Sequence, residues 1–255
     1  MRPTQATERT LRVQGIELFV REQGAGHPLL MVNGIGADAE MWGQAERTLA
    51  SSSRTIVFDW PGTGRSQTPL YPRSLPGLAR LVVALLDTLG HPRVDVLGFS
   101  FGGALAQQLA NDAPQRVRRL ALVSTSCGWG GTPTDVGTMT AAALPYPRGV
   151  ANPLGYAYQL WAFATWSSLL WLSRVDVPTL VVAGVRDRLV PPRNAVQLAR
   201  RLPHSSLHLL PAAEHLHMFD PDAAAARLLA EFFSSESLAH STAWQTGLLS
   251  ADAAG

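Results

Sequence analysis

Short runs of valine, leucine and isoleucine recur along the chain, each stopped by glycine or proline. They lie at 28–36 (PLLMVNGIG), 54–64 (RTIVFDWPGTG), 93–100 (RVDVLGFS), 117–125 (VRRLALVST), 178–184 (PTLVVAG) and 205–215 (SSLHLLPAAEH). Continuous apolar runs of this length suit parallel strands covered on both faces. The stretch 15–24 (GIELFVREQG) alternates less regularly and reads as a further strand. Between the runs lie segments with helical periodicity at 74–89, 102–113, 193–202 and 221–233. Strand and helix alternating in this way predict an α/β fold with a mostly parallel, doubly wound sheet.

The pattern breaks from residue 128 to residue 173. No strand is legible there, and Asp135 and Arg148 are the only charged residues, while Trp129, Trp161, Trp166 and Trp171 all fall within it. An insertion between two strands of such a sheet sits over its C-terminal edge, where open α/β sheets bind ligands. The expected organisation is therefore a core of residues 1–127 and 174–234, a short helical cap of residues 128–173, and a flexible tail of residues 235–255 rich in Ser, Ala and Thr.

Composition narrows the picture. With 255 residues, 46% hydrophobic and 16% charged, the chain can bury a sizeable core. A net charge of +2 implies no nucleic-acid partner. All 21 basic residues are arginine. The cluster Arg116, Arg118 and Arg119 reads as a solvated helix end rather than a phosphate site. The uncharged stretch 149–173 contains Asn, Pro, Gly and Gln and makes a poor membrane span. The lone Cys127 allows no disulfide framework, so it is expected to be a packed small hydrophobe in a cytoplasmic protein.

The chemistry concentrates at Gly98-Phe99-Ser100-Phe101-Gly102, a G-x-S-x-G pattern between the run 93–100 and the helical segment 102–113. A serine at a sharp strand-to-helix turn is a nucleophile elbow, and small residues two positions either side are what the turn requires. The alternative is a simple packing turn. A serine hydroxyl needs a base to take its proton and an acid to orient the base. Asp187, in VRDRLVPP after the run 178–184, is the expected acid; Asp176 precedes that run and sits at the wrong end. His215 in AAEHLHMF is the expected base, ahead of His217. The amides of Ile35, in the Asn33-Gly34-Ile35-Gly36 loop, and of Phe101 are the expected oxyanion donors. Asn33, Trp161 and Trp166 are the candidate substrate contacts, and the competing, favoured reading of the tryptophans is that they form the cap's own core. The stretch Asp59–Ser66 lacks the ending of a phosphate loop and reads as a structural turn. No His/Cys cluster has metal-ligand spacing, and no cofactor is expected.

On these motifs, over residues 12 to 234, the sequence resembles the α/β-hydrolase superfamily. NGIGA (33–37), LPGLARL (75–81), GGALAQQLA (102–110) and YQLWAFATWSSLLWL (158–172) followed by PTLVVAG are similar to the intracellular medium-chain-length poly(3-hydroxyalkanoate) depolymerases. The resemblance implies Ser100 as nucleophile, Asp187 as acid, His215 as base, and Asn33 as the replacement for a histidine common at that place in other hydrolases. Phe101 stands where that family often has tryptophan, and Ala212, Ala213 and Glu214 stand where it has glycines. The implied reaction is ester hydrolysis through an acyl-enzyme, with an apolar polyester at a granule surface as partner. A small-molecule carboxylesterase or lactonase, and a non-catalytic binding module on the same fold, are the rival expectations.

Overall fold

The computed structural model describes residues 6–132, 152–219 and 224–235. Eight strands form one sheet: β1 (Thr7–Val13), β2 (Ile16–Gln23), β3 (His27–Val32), β4 (Ser53–Phe58), β5 (Val94–Phe99), β6 (Val117–Val123), β7 (Thr179–Gly184) and β8 (Ser205–Leu210). Their spatial order is β1-β2-β4-β3-β5-β6-β7-β8. β1 and β2 form an antiparallel hairpin, β2 joins β4 antiparallel, and every pairing from β4 to β8 is parallel. Strand β1 was not foreseen, because TERTLRV exposes most of its side chains and so carries no apolar run.

The described helices are α1 (Gly43–Leu49), α2 (Leu75–Leu89), α3 (Phe101–Asp112), α4 (Pro153–Ala164), α5 (Arg193–Arg201) and α6 (Ala224–Ser234). The central strands feed two separate cores, as a period of two along a strand demands. Leu30 and Val32 of β3, Val96 of β5 and Leu122 of β6 pack with α2, α3 and α5 on one face. Leu29 and Met31, Leu97 and Phe99, and Ala121 and Val123 pack with α1 and α6 on the other. Helix α1, also missed in the sequence, is joined to the sheet by a buried ion pair of Arg21 with Glu46 at 2.6 Å.

Of the expected cap, residues 133–151 lie outside the described residues, as do residues 236–255 of the expected tail. The remainder holds helix α4 and a single bridge between Gly128 and Ser167. Helix α4 begins at an Asn152 cap, whose side chain accepts from the amides of Leu154 and Gly155, with Pro153 in the first turn.

The arginine cluster is not a solvated helix end. Arg118 and Arg119 lie on β6, and Arg119 is buried. Arg119 donates to the carbonyls of Phe232 (3.0 Å), Phe233 (2.7 Å) and Ser235 at the end of α6. Arg118 adds a bond to Phe233 O at 3.0 Å and pairs bidentately with Asp95. The last carbonyls of a helix lack intrahelical donors, and cations there also suit its dipole. Sequence patterning missed this because the acceptors lie more than a hundred residues away. Arg119→Ala is expected to lower stability by about 2 kcal/mol in urea unfolding, since the bonds lost are charge-assisted and their partners stay buried.

Candidate active site

Ser100 sits between β5 and α3 with φ 53° and ψ −120°, a conformation that side chains rarely adopt. The neighbouring glycines explain how the turn closes. A Cβ on Gly98 would lie 2.6 Å from the Gly102 carbonyl, and one on Gly102 only 2.1 Å from the Val32 carbonyl. On Gly103 it would strike Thr125 at 2.5 Å. The turn is fastened by Ser100 N–H to Val123 O (2.9 Å) and by Thr125 Oγ1, which donates to Ser100 O (2.7 Å).

The loops after β7 and β8 bring Asp187 and His215 to this serine. Gly184 lets the two loops touch, because any Cβ there would meet Ala213 O at 2.2 Å. Arg186 N–H then donates to the same carbonyl at 3.0 Å. Asp187 is buried, and its Oδ1 accepts from the amides of Leu189 (2.9 Å) and Val190 (2.8 Å). Its Oδ2 lies 2.8 Å from His215 Nδ1, and His215 Nε2 lies 3.2 Å from Ser100 Oγ. A carboxylate only accepts, so Nδ1 carries the proton and the Nε2 lone pair faces the serine hydroxyl. The imidazole also rests against Phe99, with ring centroids 5.2 Å apart. The three side chains chosen from sequence therefore stand in one hydrogen-bonded line.

The rivals lie elsewhere. His217 is buried, with Nε2 3.2 Å from Ser124 Oγ. Asp176 pairs with His204 at the opposite edge of the sheet, exposed to solvent. Cys127 is buried in the α2–α3 core, and burial raises its thiol pKa.

The carbonyls of Val32 and Asn33 pack against Gly102, which sets the loop after β3 beside the elbow. Among the described residues, neither the Ile35 amide nor the Phe101 amide has an acceptor, and Phe101 is the first residue of α3. Both expected donors are thus on segments that touch, with their N–H groups unengaged.

Asn33 requires a correction. It is fully buried and is not a substrate contact. Its Nδ2 donates to Phe58 O at 3.0 Å, and its Oδ1 accepts from Trp42 Nε1 at 2.6 Å. Trp60 Nε1 donates to the Asn33 carbonyl at 3.2 Å. An amide, with donor and acceptor at one tip, joins the end of β4 to the turn before α1. Asp59 performs a similar task, accepting from the amides of Ala39 (2.6 Å) and Arg65 (2.8 Å). Burial raises the Asp59 pKa, and those two amides oppose the shift. The Asp59–Ser66 stretch is accordingly a structural turn.

The tryptophans separate. Trp166 is buried and donates from Nε1 to Gln108 Oε1 at 2.6 Å, which ties the segment after α4 to α3. It belongs to an aromatic series in which Trp60 meets Phe101, Phe101 meets Phe163, Phe163 meets Trp166 and Trp166 meets Trp171. Trp161, on α4, is 46% exposed. Phe101 thus has two uses: its amide opens helix α3, and its ring packs between Trp60 and Phe163 of α4.

Gln159 escaped the sequence reading. It is buried on α4, and its Oε1 accepts from the Gly36 amide at 2.7 Å. The available signal was its being the only amide side chain in PLGYAYQLWAFA.

A doubly wound sheet with a serine elbow after β5, an acid after β7 and a histidine after β8 defines a hydrolase scaffold. The chain belongs to the α/β-hydrolase family: residues 27–149 match the α/β hydrolase fold. It is 35% identical to the poly(3-hydroxyalkanoate) depolymerase of Ectopseudomonas oleovorans, over 88% of this chain and 90% of that one. It is 27% identical to 3-oxoadipate enol-lactonase 2 of Acinetobacter baylyi, over 84% of this chain and 92% of that one. Among solved structures, a hydrolase from Pseudomonas aeruginosa superposes with a TM-score of 0.80 at 27% identity, covering 90% of this chain and 99% of that one.

Asn33→Ala leaves Trp42 Nε1 and Phe58 O without partners in a buried place. Equilibrium urea denaturation is expected to show a loss of about 2–4 kcal/mol, one desolvation penalty for each orphaned group.

Proposed function

We propose that the protein hydrolyses carboxylic esters through an acyl-serine, and that its substrate is a poly(3-hydroxyalkanoate) met at an apolar granule surface in the cytoplasm. The observation that carries the chemistry is the line from Asp187 Oδ2 to His215 (2.8 Å) and from His215 to Ser100 Oγ (3.2 Å), at a strained elbow. His215 Nε2 takes the hydroxyl proton as Oγ attacks the ester carbonyl. The negative charge that forms on the carbonyl oxygen is received by the amides of Ile35 and Phe101. The C–O bond then breaks, and the imidazolium returns the proton to the departing alkoxide. Water gives a proton to the same imidazole as it attacks the acyl-serine; the acyl C–Oγ bond then breaks, the imidazolium returns the proton to Ser100 Oγ, and the acid is freed. Asp187 holds the histidine tautomer and stabilises the imidazolium throughout.

Two observations favour a polyester. The first is the similarity to the depolymerase over most of both chains. The second is the distribution of apolar surface. Among the described residues, the exposed large hydrophobics lie on the cap or on loops that follow β4, β6, β7 and β8. Leu70, Tyr71, Trp129 and Leu170 are each more than three-quarters exposed. Apolar residues gathered at one edge are suited to a water-insoluble partner.

The test is release of 3-hydroxy acids from amorphous medium-chain granules, with p-nitrophenyl octanoate measured beside it. Wild-type protein is expected to act on both, and Ser100→Ala on neither. Asp187→Asn should lower kcat by about 10⁴-fold, because the wrong imidazole tautomer then faces the serine. Cleavage of the soluble ester alone would instead indicate a small-ester hydrolase, and no serine-dependent cleavage at all would indicate a binding module.

A further inference from the structure

Helix α4 rests on the core through contacts of several kinds. Gly155 lies directly on the Gly62 backbone, where a Cβ would fall 1.9 Å from the Gly62 carbonyl. Asn152 Nδ2 donates to Thr68 Oγ1 at 2.5 Å, and Tyr158 Oη donates to Leu70 O at 3.2 Å. These reach the segment between β4 and α2. One polar contact goes elsewhere: Gln159 Oε1 accepts from Gly36 N–H at 2.7 Å. Its target is the loop that carries Ile35.

The orientation of this amide is fixed by chemistry. The Gly36 N–H is a donor, so the Gln159 atom facing it must be the carbonyl oxygen. The NH2 end consequently points away, and among the described residues it is buried without a partner. A buried, unpartnered NH2 costs about what one internal hydrogen bond returns. Gln159 therefore does little for stability; what it does is hold a place.

We propose that Gln159 is a positioning residue for the oxyanion site, through which the cap sets the Ile35 amide. The inference rests on the acyl-serine reading above. The loop is a tight turn, with Gly36 at φ 70° and Ala37 N–H bonded to Gly34 O at 3.3 Å. Asn33 holds its start through Phe58 and Trp42. Gln159 holds its apex at the amide next after that of Ile35. Without Gln159 the turn keeps its closure but loses its reference to the cap, and the Ile35 N–H can swing away from the developing charge. A displacement of about 1 Å in such a donor costs on the order of 100-fold in rate.

The test compares Gln159→Leu and Gln159→Met, which keep the bulk and remove the acceptor, with Asn152→Ala, which loosens the same helix without touching Gly36. Thermal unfolding and near-UV dichroism report folding. Kinetics are followed on p-nitrophenyl acetate and octanoate, with a trifluoromethyl ketone as an inhibitor whose hemiketal oxyanion occupies the donor site. Both Gln159 variants should melt close to wild type and lose about 10- to 100-fold in kcat on both esters, with little change in KM. Ketone affinity should fall by the same factor. Asn152→Ala should melt lower and keep its kcat. Unchanged kcat with a raised KM for octanoate alone would overturn the inference, making Gln159 part of the acyl-chain wall. An equal loss of kcat in Asn152→Ala, or failure of both Gln159 variants to fold, would overturn it as well. Wild type inactive on every ester would remove the function proposed above and this role with it; the other outcomes bear on Gln159 alone.

Discussion

The structure depends on a backbone contact at the end of β3. The carbonyls of Val32, its last residue, and of Asn33, just beyond it, lie so close to Gly102 that no side chain fits between them. This approach lets α3 start directly beneath the sheet edge, next to Ser100 at φ 53°, and sets the Ile35 loop against the elbow. A second contact of the same kind, Gly184 on Ala213, joins the loops carrying Asp187 and His215. The site is thus assembled from glycine-mediated contacts between neighbouring strand ends. Side chains then complete it over distances of about 3 Å.

Buried polar groups do the remaining positioning, and they work as amide or carboxylate clamps rather than as reactants. Asn33, Asp59 and Gln159 each hold backbone groups, and Asn33 also holds the Trp42 indole. Their burial makes each bond sensitive to the loss of a partner, which is why the loops over the site can be both irregular and fixed. The aromatic series from Trp60 to Trp171 adds a non-polar link between the sheet's loops and helix α4, passing through the residue next to Ser100. The residue next to Ser100 is thus packed between Trp60 and Phe163 of α4.

The described surface above this assembly is apolar at its extremities, with Trp129 and Leu170 almost bare. At the opposite edge of the sheet, Arg118 and Arg119 close the end of α6. Among the described residues, the exposed large hydrophobics gather at the edge where Ser100 lies.

The parallel strands and the order of serine, acid and histidine were legible in the sequence because both depend on local pattern. Continuous apolar runs mark strands covered on both sides, and a residue just after such a run must lie at the C-terminal edge. Strand β1 was hidden because its side chains are mostly exposed, and α1 because its partner for burial is Arg21, far from it in the chain. The roles of Asn33, Trp166, Gln159 and the β6 arginines were decided only by tertiary structure. Each is a polar or amphipathic group whose partner lies nine to more than a hundred residues away: Asn33 on Trp42, Trp166 on Gln108, Gln159 on Gly36, Arg119 on Phe233. Local sequence records that such a group must be satisfied if it is buried, but only the folded chain determines what satisfies it.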